Sequence, residues 1–255
     1  MSLQNKIATL FFVLLIGLPI VGLWAVRYSR PAPKPLKPRE EITITIIPGW
    51  NLRDVANYLV KVGLASSTGE VFKITGEPAV QGVVSLEGLL APETYRVYKN
   101  ASLQEVIKKL TDQRLKEFKA VTSTEFDQNE ILTLASLLEK EAQTTNDRKL
   151  VADVLRRRLK GGWALQLDST VHYAIDKSGN PYTTDKERNI NSLWNTYKYA
   201  GLPPGPICNP GLDSIEAALS PTLNEYWFFL SGTDGTMHYA KTLEEHTANR
   251  YKYLR

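Results

Sequence analysis

A glutamate near the end of a predicted helix is the residue of this sequence best suited to acid–base chemistry. Residues 128 to 160 (QNEILTLASLLEKEAQTTNDRKLVADVLRRRLK) predict two helices. A step of about 100° per residue places Glu141 about 20° from Leu134, at the centre of the apolar face, and Glu139 about 140° away. A carboxylate on a buried face loses hydration, so its pKa rises and it can act as a general acid near neutral pH. The alternative is a boundary glutamate whose carboxylate reaches water, and periodicity alone favours it.

The second helix of the pair contributes a candidate cation. We expect Asn146 or Asp147 to cap its start and the glycines at 161 and 162 to end it. Its last turn is strongly basic, which suits the helix dipole. Arg158 lies near the apolar stripe and is the cation that could instead face an anionic substrate group.

Two later segments supply polar side chains. The segment WALQLDSTVHYAI (163 to 175) alternates polar and apolar residues, which predicts a strand or extended loop. The segment WNTYKYAGLPPGPICNPG (194 to 211) predicts a rigid, irregular loop. This loop either builds a binding surface or is a structural loop held by its prolines, and the sequence leaves both open. The candidate hydrogen-bonding residues are Gln166, Asp168, Asn195, Tyr197 and Asn209, and Trp194 and Tyr199 would add flat faces for stacking.

Other chemistries find little support in the sequence. The three histidines have no ligand spacing such as HExxH, so no metal site is predicted. Neither a P-loop nor GxGxxG is present, so no nucleotide cofactor is expected. Cys208 is the only cysteine, which excludes an intrachain disulfide, and in a proline-rich loop it is more often inert than nucleophilic. A glycosidase with two carboxylates, Glu141 and Asp168, remains open.

The first forty residues predict a membrane anchor followed by a spacer. Residues 7 to 26 contain no charge, and at about 1.5 Å per residue they span a bilayer core of about 30 Å. We interpret them as a retained anchor, with a cleaved signal as the alternative. Residues 30 to 39 alternate proline with basic residues, which is typical of an extended spacer, so we expect a linker over residues 27 to 40. Because more cations follow the apolar stretch than precede it, the positive-inside rule would place the main body in the cytoplasm.

The remaining pattern predicts a chain of mixed α and β elements. The net charge of +4 lies largely beside the apolar stretch and in one helix, so it does not indicate a nucleic-acid partner. Strand 42 to 47 and a helix over 52 to 62, capped by Asn51, form a unit that resembles half of a LysM-type module or a generic packing unit. Further predicted elements are a helix from Ser102 to about Lys119, a short helix at 215 to 219, a hairpin of 226–232 and 236–242, and a closing helix at 243–254.

Several stretches, taken in order, match one family. They are EGLLAPETYRV, LASLLEKEA, VADVLRRRL, LQLDSTVHYAI, NTYKYAGLPPGPICNPG, SIEAALSP and HYAKTLEEH. Together they resemble the endolytic murein transglycosylases, the MltG or YceG-like family, over about residues 42 to 252. The chain departs from the family in being short before residue 87 and in having Ala91 where an aromatic residue is usual.

The resemblance implies a membrane-anchored enzyme that cleaves the MurNAc–GlcNAc bond of peptidoglycan glycan strands and leaves 1,6-anhydromuramic ends. It implies no metal or cofactor, and its partners would be glycan strands, the cytoplasmic membrane and peptidoglycan synthases. The family's catalytic glutamate, the second acid of an ExE pair, falls on Glu141, and Glu139 would carry only a solvated charge. Two alternatives are a hydrolase that uses Glu141 with Asp168 and a non-enzymatic wall-binding scaffold protein. The residues implied to position sugars are Gln166, Asp168, Asn195, Tyr197 and Asn209.

These expectations combine into one domain plan for an α+β protein. Residues 41 to 255 are expected outside the bacterial cytoplasmic membrane, where the implied substrate lies, against the charge rule. The loop at 194 to 211 should line the same cleft as Glu141, with Asn195 or Tyr197 within a sugar's length of its carboxyl. The plan comprises a cytoplasmic tail (1–6), an anchor (7–26), a linker (27–40), a LysM-like unit (41–86) and a catalytic domain with a two-helix core and a β-hairpin (87–255).

Overall fold

The computed structural model describes residues 39–79, 84–119, 126–179 and 182–254. The predicted anchor at 7–26 and most of the linker lie outside these ranges. Within them, no helix combines the length and the apolar character needed to cross a membrane.

The first part of the fold is a two-stranded sheet with three helices. Strands β1 (Glu41–Thr45) and β2 (Thr94–Tyr98) pair antiparallel, with Ile44 opposite Tyr95. Asn51 caps the first helix as predicted, because its side chain accepts from the Asp54 N–H and the Asp54 carboxylate accepts from the Asn51 N–H. The helices are α1 (Leu52–Lys61), α2 (Thr68–Thr75) and α3 (Leu103–Lys119).

These elements enclose one hydrophobic core. Ile44 on β1, Leu59 on α1, Val97 on β2 and Leu110 on α3 are all buried in it. The β1–β2 pairing therefore joins residues on both sides of position 87, and this core extends to the middle of α3.

The second part is built on the predicted helix pair, α4 (Gln128–Glu141) and α5 (Thr145–Lys160). Residues 131 to 138 of α4 are all buried, because α4 packs against α5 and against a further helix, α8 (Leu212–Leu219). The prediction that Asn146 or Asp147 caps α5 is wrong. Thr144 is the cap, since its hydroxyl accepts from the Asp147 N–H at 3.1 Å.

The segment after α5 is a helix where a strand or extended loop was expected. Residues Asp168–Ala174 form α6, with Thr170, Val171 and Tyr173 buried. Over so few residues, the alternation of polar and apolar side chains fits a helical stripe as well as a strand. Gln166 has a φ of 56°, which turns the chain immediately before α6.

The chain ends with the predicted hairpin and closing helix. Strands β3 (Phe228–Ser231) and β4 (Met237–Ala240) pair antiparallel, with Leu230 opposite His238. Helix α9 (Leu243–Tyr253) follows and packs against both strands, while a short helix, α7 (Asp185–Arg188), lies in the polar segment after α6. The described part of the chain is thus a mixed α+β fold.

Candidate active site

A cleft of about 1460 Å³ contains Glu141 at the end of α4. It is lined by residues of α1, by the start of α6, by part of the loop at 194–211, and by β3 and α9. Three of the other predicted site residues line the same cleft, namely Gln166, Asp168 and Tyr197. Elements far apart in the sequence therefore converge on one concave surface around the predicted acid.

The environment of Glu141 suits a proton donor. The Ser169 hydroxyl donates to Glu141 Oε1 at 2.6 Å. Burial raises the pKa of Glu141 to about 6, although the bond from Ser169 opposes this rise. The charge of Asp168 raises the pKa further, and the nearby Arg158 and Lys140 lower it. The carboxyl is thus partly protonated near neutral pH and has one oxygen held by a neighbouring hydroxyl.

Asp168 is held in place from the other side. Tyr197 donates its hydroxyl to Asp168 Oδ1 at 2.6 Å, and Arg188 Nε lies 3.4 Å from the same oxygen. The Arg188 guanidinium also lies over the Tyr197 ring, 5.3 Å from its centroid. Burial and Asp168 raise the pKa of Tyr197, so this phenol stays neutral and remains a donor. These three side chains fix a negative charge at the start of α6, next to Ser169.

Gln166 is exposed and lines the cleft in a rare backbone conformation. Its N–H donates to the Thr196 carbonyl at 3.0 Å, which ties it to the loop at 194–211. A non-glycine residue with positive φ is strained, and such strain is typical of functional sites. Gln166 therefore lies on the cleft, and its contact with substrate stays a prediction.

Asn195 and Asn209 require a correction, because the structure places both in the interior. Both are fully buried, and neither lines the cleft. Asn195 Nδ2 donates to the carbonyls of Arg188 and Ile190, each at 2.9 Å. Asn209 accepts from the Leu90 N–H and donates to the Trp50 carbonyl, each at 2.9 Å. Their amides are occupied by the backbone, so they hold the loop in shape rather than contact a sugar directly.

The loop at 194–211 lines the cleft only in part. Tyr197 and Ile207 reach it, which agrees with the prediction, but the expected stacking faces do not. Trp194 is buried against Tyr173, with ring centroids 6.1 Å apart, and Tyr199 donates its hydroxyl to Asn191. Most of this loop is therefore structural.

Cys208 and the histidines add no further chemistry to this cleft. Cys208 is buried, and burial raises the pKa of its thiol, so it is unsuited to nucleophilic attack. In the part of the chain that the structure describes, no three His, Cys, Asp or Glu side chains are grouped as metal ligands would be.

Glu139 is not the solvated charge that the sequence suggested. Its side chain is 7 % exposed and pairs with Arg148 at 3.0 Å. Its other oxygen accepts from the Gly211 N–H at 2.9 Å and from the Ser214 hydroxyl at 2.7 Å. The helical projection missed this because α8 covers the side of α4 opposite its main apolar stripe. Glu139 joins α4, α5 and α8 and is a structural residue.

Two residues near the cleft have roles that the sequence did not reveal. Ser169 lies in a segment that the pattern predicts as a strand or extended loop, whereas helix α6 brings its hydroxyl to Glu141. Glu87 is buried, and its Oε2 accepts from the Leu52 N–H at 3.1 Å and from the Tyr173 hydroxyl at 3.0 Å. Burial raises the pKa of Glu87 to about 7. It joins the N-terminal core to α6 and does not line the cleft.

Arg158 lines the cleft and is buried. Its guanidinium donates to the Leu165 carbonyl at 2.6 Å and to the Trp227 carbonyl at 2.7 and 3.1 Å. No carboxylate among the described residues forms an ion pair with it, yet its charge lowers the pKa of Glu141. Arg158 therefore supplies a fixed positive charge beside the acid.

The sequence was compared with a family model and with curated proteins. Residues 31–252 match the model of the YceG-like family. The chain is 40% identical to an endolytic murein transglycosylase of Bacillus subtilis (strain 168) over 174 residues, which cover 66% of this chain and 48% of that protein. It is 35% identical to one of Streptococcus pneumoniae serotype 2 over 173 residues, covering 64% and 31% respectively. It thus spans about half the length of these curated relatives or less.

A solved structure resembles the fold as well. The crystal structure of a yceG-like protein from Listeria monocytogenes aligns with a TM-score of 0.71 at 31% identity. The alignment covers 81% of this chain and 75% of that one.

Proposed function

Because the chain belongs to the YceG-like family, we propose that it is a lytic transglycosylase that cuts murein glycan strands between MurNAc and GlcNAc. The observation that carries this proposal is Glu141, a carboxyl with a pKa raised to about 6 in a cleft large enough for several sugar rings. The proposed activity agrees with the names of the B. subtilis and S. pneumoniae relatives.

The first step is proton transfer from Glu141 to the glycosidic oxygen. The bond between this oxygen and C1 of the muramic acid breaks, and positive charge develops at C1. A donor with a pKa near the working pH is effective because enough of it is protonated and it still releases its proton readily. Burial achieves this for Glu141.

The second step needs no second protein nucleophile. The C6 hydroxyl of the same muramic acid attacks C1, and its proton passes to the Glu141 carboxylate. One C–O bond breaks and one forms, no water is consumed, and the acid is regenerated. An internal nucleophile of this kind has an effective molarity of up to about 10⁵ M or more.

The neighbouring side chains suit both halves of this cycle. Ser169 holds Oε1 of Glu141, which leaves Oε2 as the oxygen to exchange the proton with substrate. Arg158 stabilises the carboxylate left after the first step. Asp168, held by Tyr197 and Arg188, keeps a negative charge near the developing cation. Gln166 and Tyr197 line the cleft and would contact the sugars.

A hydrolase is the second candidate, because Asp168 lines the same cleft as Glu141. In that mechanism Asp168 would act on a water molecule or attack C1 itself. Asp168 Oδ1 already accepts from a phenol and faces a guanidinium, which suits an electrostatic role better than a nucleophile.

Product analysis on purified glycan strands tests the proposal. Mass spectrometry should detect muramic ends lighter by one water than the reducing ends of a hydrolase digest. Reducing ends alone would indicate the hydrolase, and uncut strands would indicate a wall-binding scaffold protein.

We also propose that residues 41 to 255 lie outside the cytoplasmic membrane, anchored by residues 7 to 26, with 41–86 as a LysM-like unit before the catalytic domain. The substrate supports this orientation, and the flanking charges oppose it. Alkaline phosphatase fused after Arg255 should be active in cells. Activity of a cytoplasm-only reporter at the same position would contradict the proposal.

A further inference from the structure

One wall of the cleft is the edge of a strand. Residues 228 to 233 all line the cleft, covering β3 and the start of its turn. Successive side chains of a strand point to opposite faces. The side chains on one face of β3 would account for only every second residue of this stretch. All six residues can border the cleft if the backbone edge of β3 runs along it.

No second strand of the described chain pairs with the other edge of β3. In the described chain β3 pairs only with β4. The Gly232 N–H donates to the Thr236 carbonyl at 2.8 Å, so in the antiparallel ladder residues 228, 230 and 232 face β4. The backbone groups of Phe229 and Ser231 consequently point away from β4, where an extended chain could pair with them.

The same wall carries two positive charges. Arg250 on α9 is exposed and lines the cleft, as does the buried Arg158. His246 also lines it, but burial lowers the pKa of its imidazole, which is therefore neutral near pH 7. No ion pair to Arg250 or Arg158 is found within the described ranges. All of the acids that line the cleft lie on α1, α4, α6 or directly after α6, and none on β3, its turn or α9.

The wall also exposes apolar surface. Leu243 is 59% exposed and Leu254 39% exposed, and both line the cleft beside Phe228 and Phe229. His246 stacks on Phe228 with ring centroids 5.3 Å apart, and its buried Nδ1 has no partner among the described residues. Cations, apolar side chains and a free strand edge are what an extended acidic peptide would use.

We propose that this wall, formed by the β3 edge with Arg158, His246, Arg250, Leu243 and Leu254, binds the acidic stem peptide of the muramic acid. This inference rests on the proposed function. The N-acetylated sugars carry no charge when the lactyl group is amide-linked, so the sugars themselves offer no anionic partner for the cations of this wall. The stem peptide is carried by the lactyl group on C3 of the muramic acid whose bond at C1 Glu141 cleaves, and its carboxylates and alanines match the wall.

Binding to the Glu141→Gln protein tests this directly, because it does not depend on cleavage. Affinity is measured for glycan strands that bear acidic stem peptides and for the same strands after an amidase has removed them. Adding Arg250→Gln should weaken binding of the peptide-bearing strands about three- to tenfold, as expected for one partly exposed charge-assisted contact. Binding of the stripped strands should be unchanged.

Two further variants locate the effect. Lys252→Gln removes a charge from the same helix outside the cleft and should change neither affinity. Ser231→Pro removes an outward N–H while leaving the bonds to β4, and should also weaken only the peptide-bearing strands.

Equal affinities for the two strands, or equal weakening of both by Arg250→Gln, would overturn the inference. Failure of the proposed function would appear separately, as wild-type protein that produces no anhydro ends while the difference in binding persists.

Discussion

Two neighbours of Glu141 act on its pKa in opposite directions, so removing each should shift the pH profile in opposite directions. A general acid works only while protonated, so activity should be present below the pKa of about 6 and fall as pH rises through it. The Ser169 hydroxyl, 2.6 Å from Oε1, stabilises the carboxylate and lowers the pKa. Asp168 raises the pKa through its charge.

The size of the first shift follows from the hydrogen bond. A bond to a charged group contributes about 1.5 kcal/mol, and about 1.4 kcal/mol corresponds to one pH unit. Ser169→Ala should therefore move the midpoint of the alkaline limb up by about one pH unit. Asp168→Asn should move it down by a smaller amount, about half a unit, because Arg188 and Tyr197 already offset part of that charge.

The assay is the rate of formation of anhydro ends, as kcat/KM, from pH 4.5 to 9. Thermal unfolding at each pH ensures that only folded protein is compared. If the alkaline limbs of the two variants move in the same direction, the electrostatic reasoning is refuted. If neither limb moves and the rates are lower at every pH, Ser169 and Asp168 do not set the pKa of Glu141.

Three other changes separate structure from chemistry. Glu139→Gln breaks a buried pair with Arg148 and should cost about 3 kcal/mol, seen as a melting temperature lower by roughly 6–12 °C; an unchanged value would contradict its structural role. Burial raises the pKa of Glu87 from 4.5 to about 7, so its own contribution to stability is greatest below pH 4.5 and falls by about 3 kcal/mol as the pH rises through 7. Glu87→Gln should change the pH dependence of the free energy of unfolding in urea by that amount, and an unchanged pH dependence would show that Glu87 does not contribute to it. Tyr197→Phe removes a donor to Asp168 and should lower kcat about tenfold with little loss of stability, whereas equal loss of both would make it structural.

The sequence was sufficient for the elements whose patterns are long. The α4–α5 pair, the Asn51 cap and the closing hairpin and helix lie where the patterns predicted, because each shows a repeated apolar stripe or a local capping or turn signal. Helix α6 was missed because its short stretch fits two periods equally.

The site was predicted only as far as single-helix geometry reaches. The helical projection placed Glu141 on the apolar face of α4, and in the structure this residue lines the cleft. The same projection predicted a solvated charge for Glu139, which is wrong because residues of α5 and α8 bind its carboxylate. Asn195 and Asn209 looked like ligands because polar side chains in an irregular loop serve either substrate or backbone. Only the fold shows that the backbone carbonyls around them occupy their amides.

In the proposed mechanism, Glu141 alone exchanges the proton with substrate. The direct measurement is the yield of 1,6-anhydromuramic ends from glycan strands cut by wild type, Glu141→Gln and a matched control. Asp176→Asn serves as that control, since Asp176 lines the same cleft and its carboxylate, on a side chain that is 66% exposed, pairs with Arg53 at 3.5 Å. Glutamine keeps the size of Glu141 but carries no acidic proton, so the yield should fall by about 10⁴-fold or more, while Asp176→Asn retains most activity. A Glu141→Gln protein that still forms anhydro ends at a tenth of the wild-type rate or faster, or an Asp176→Asn protein equally inactive, would contradict the account.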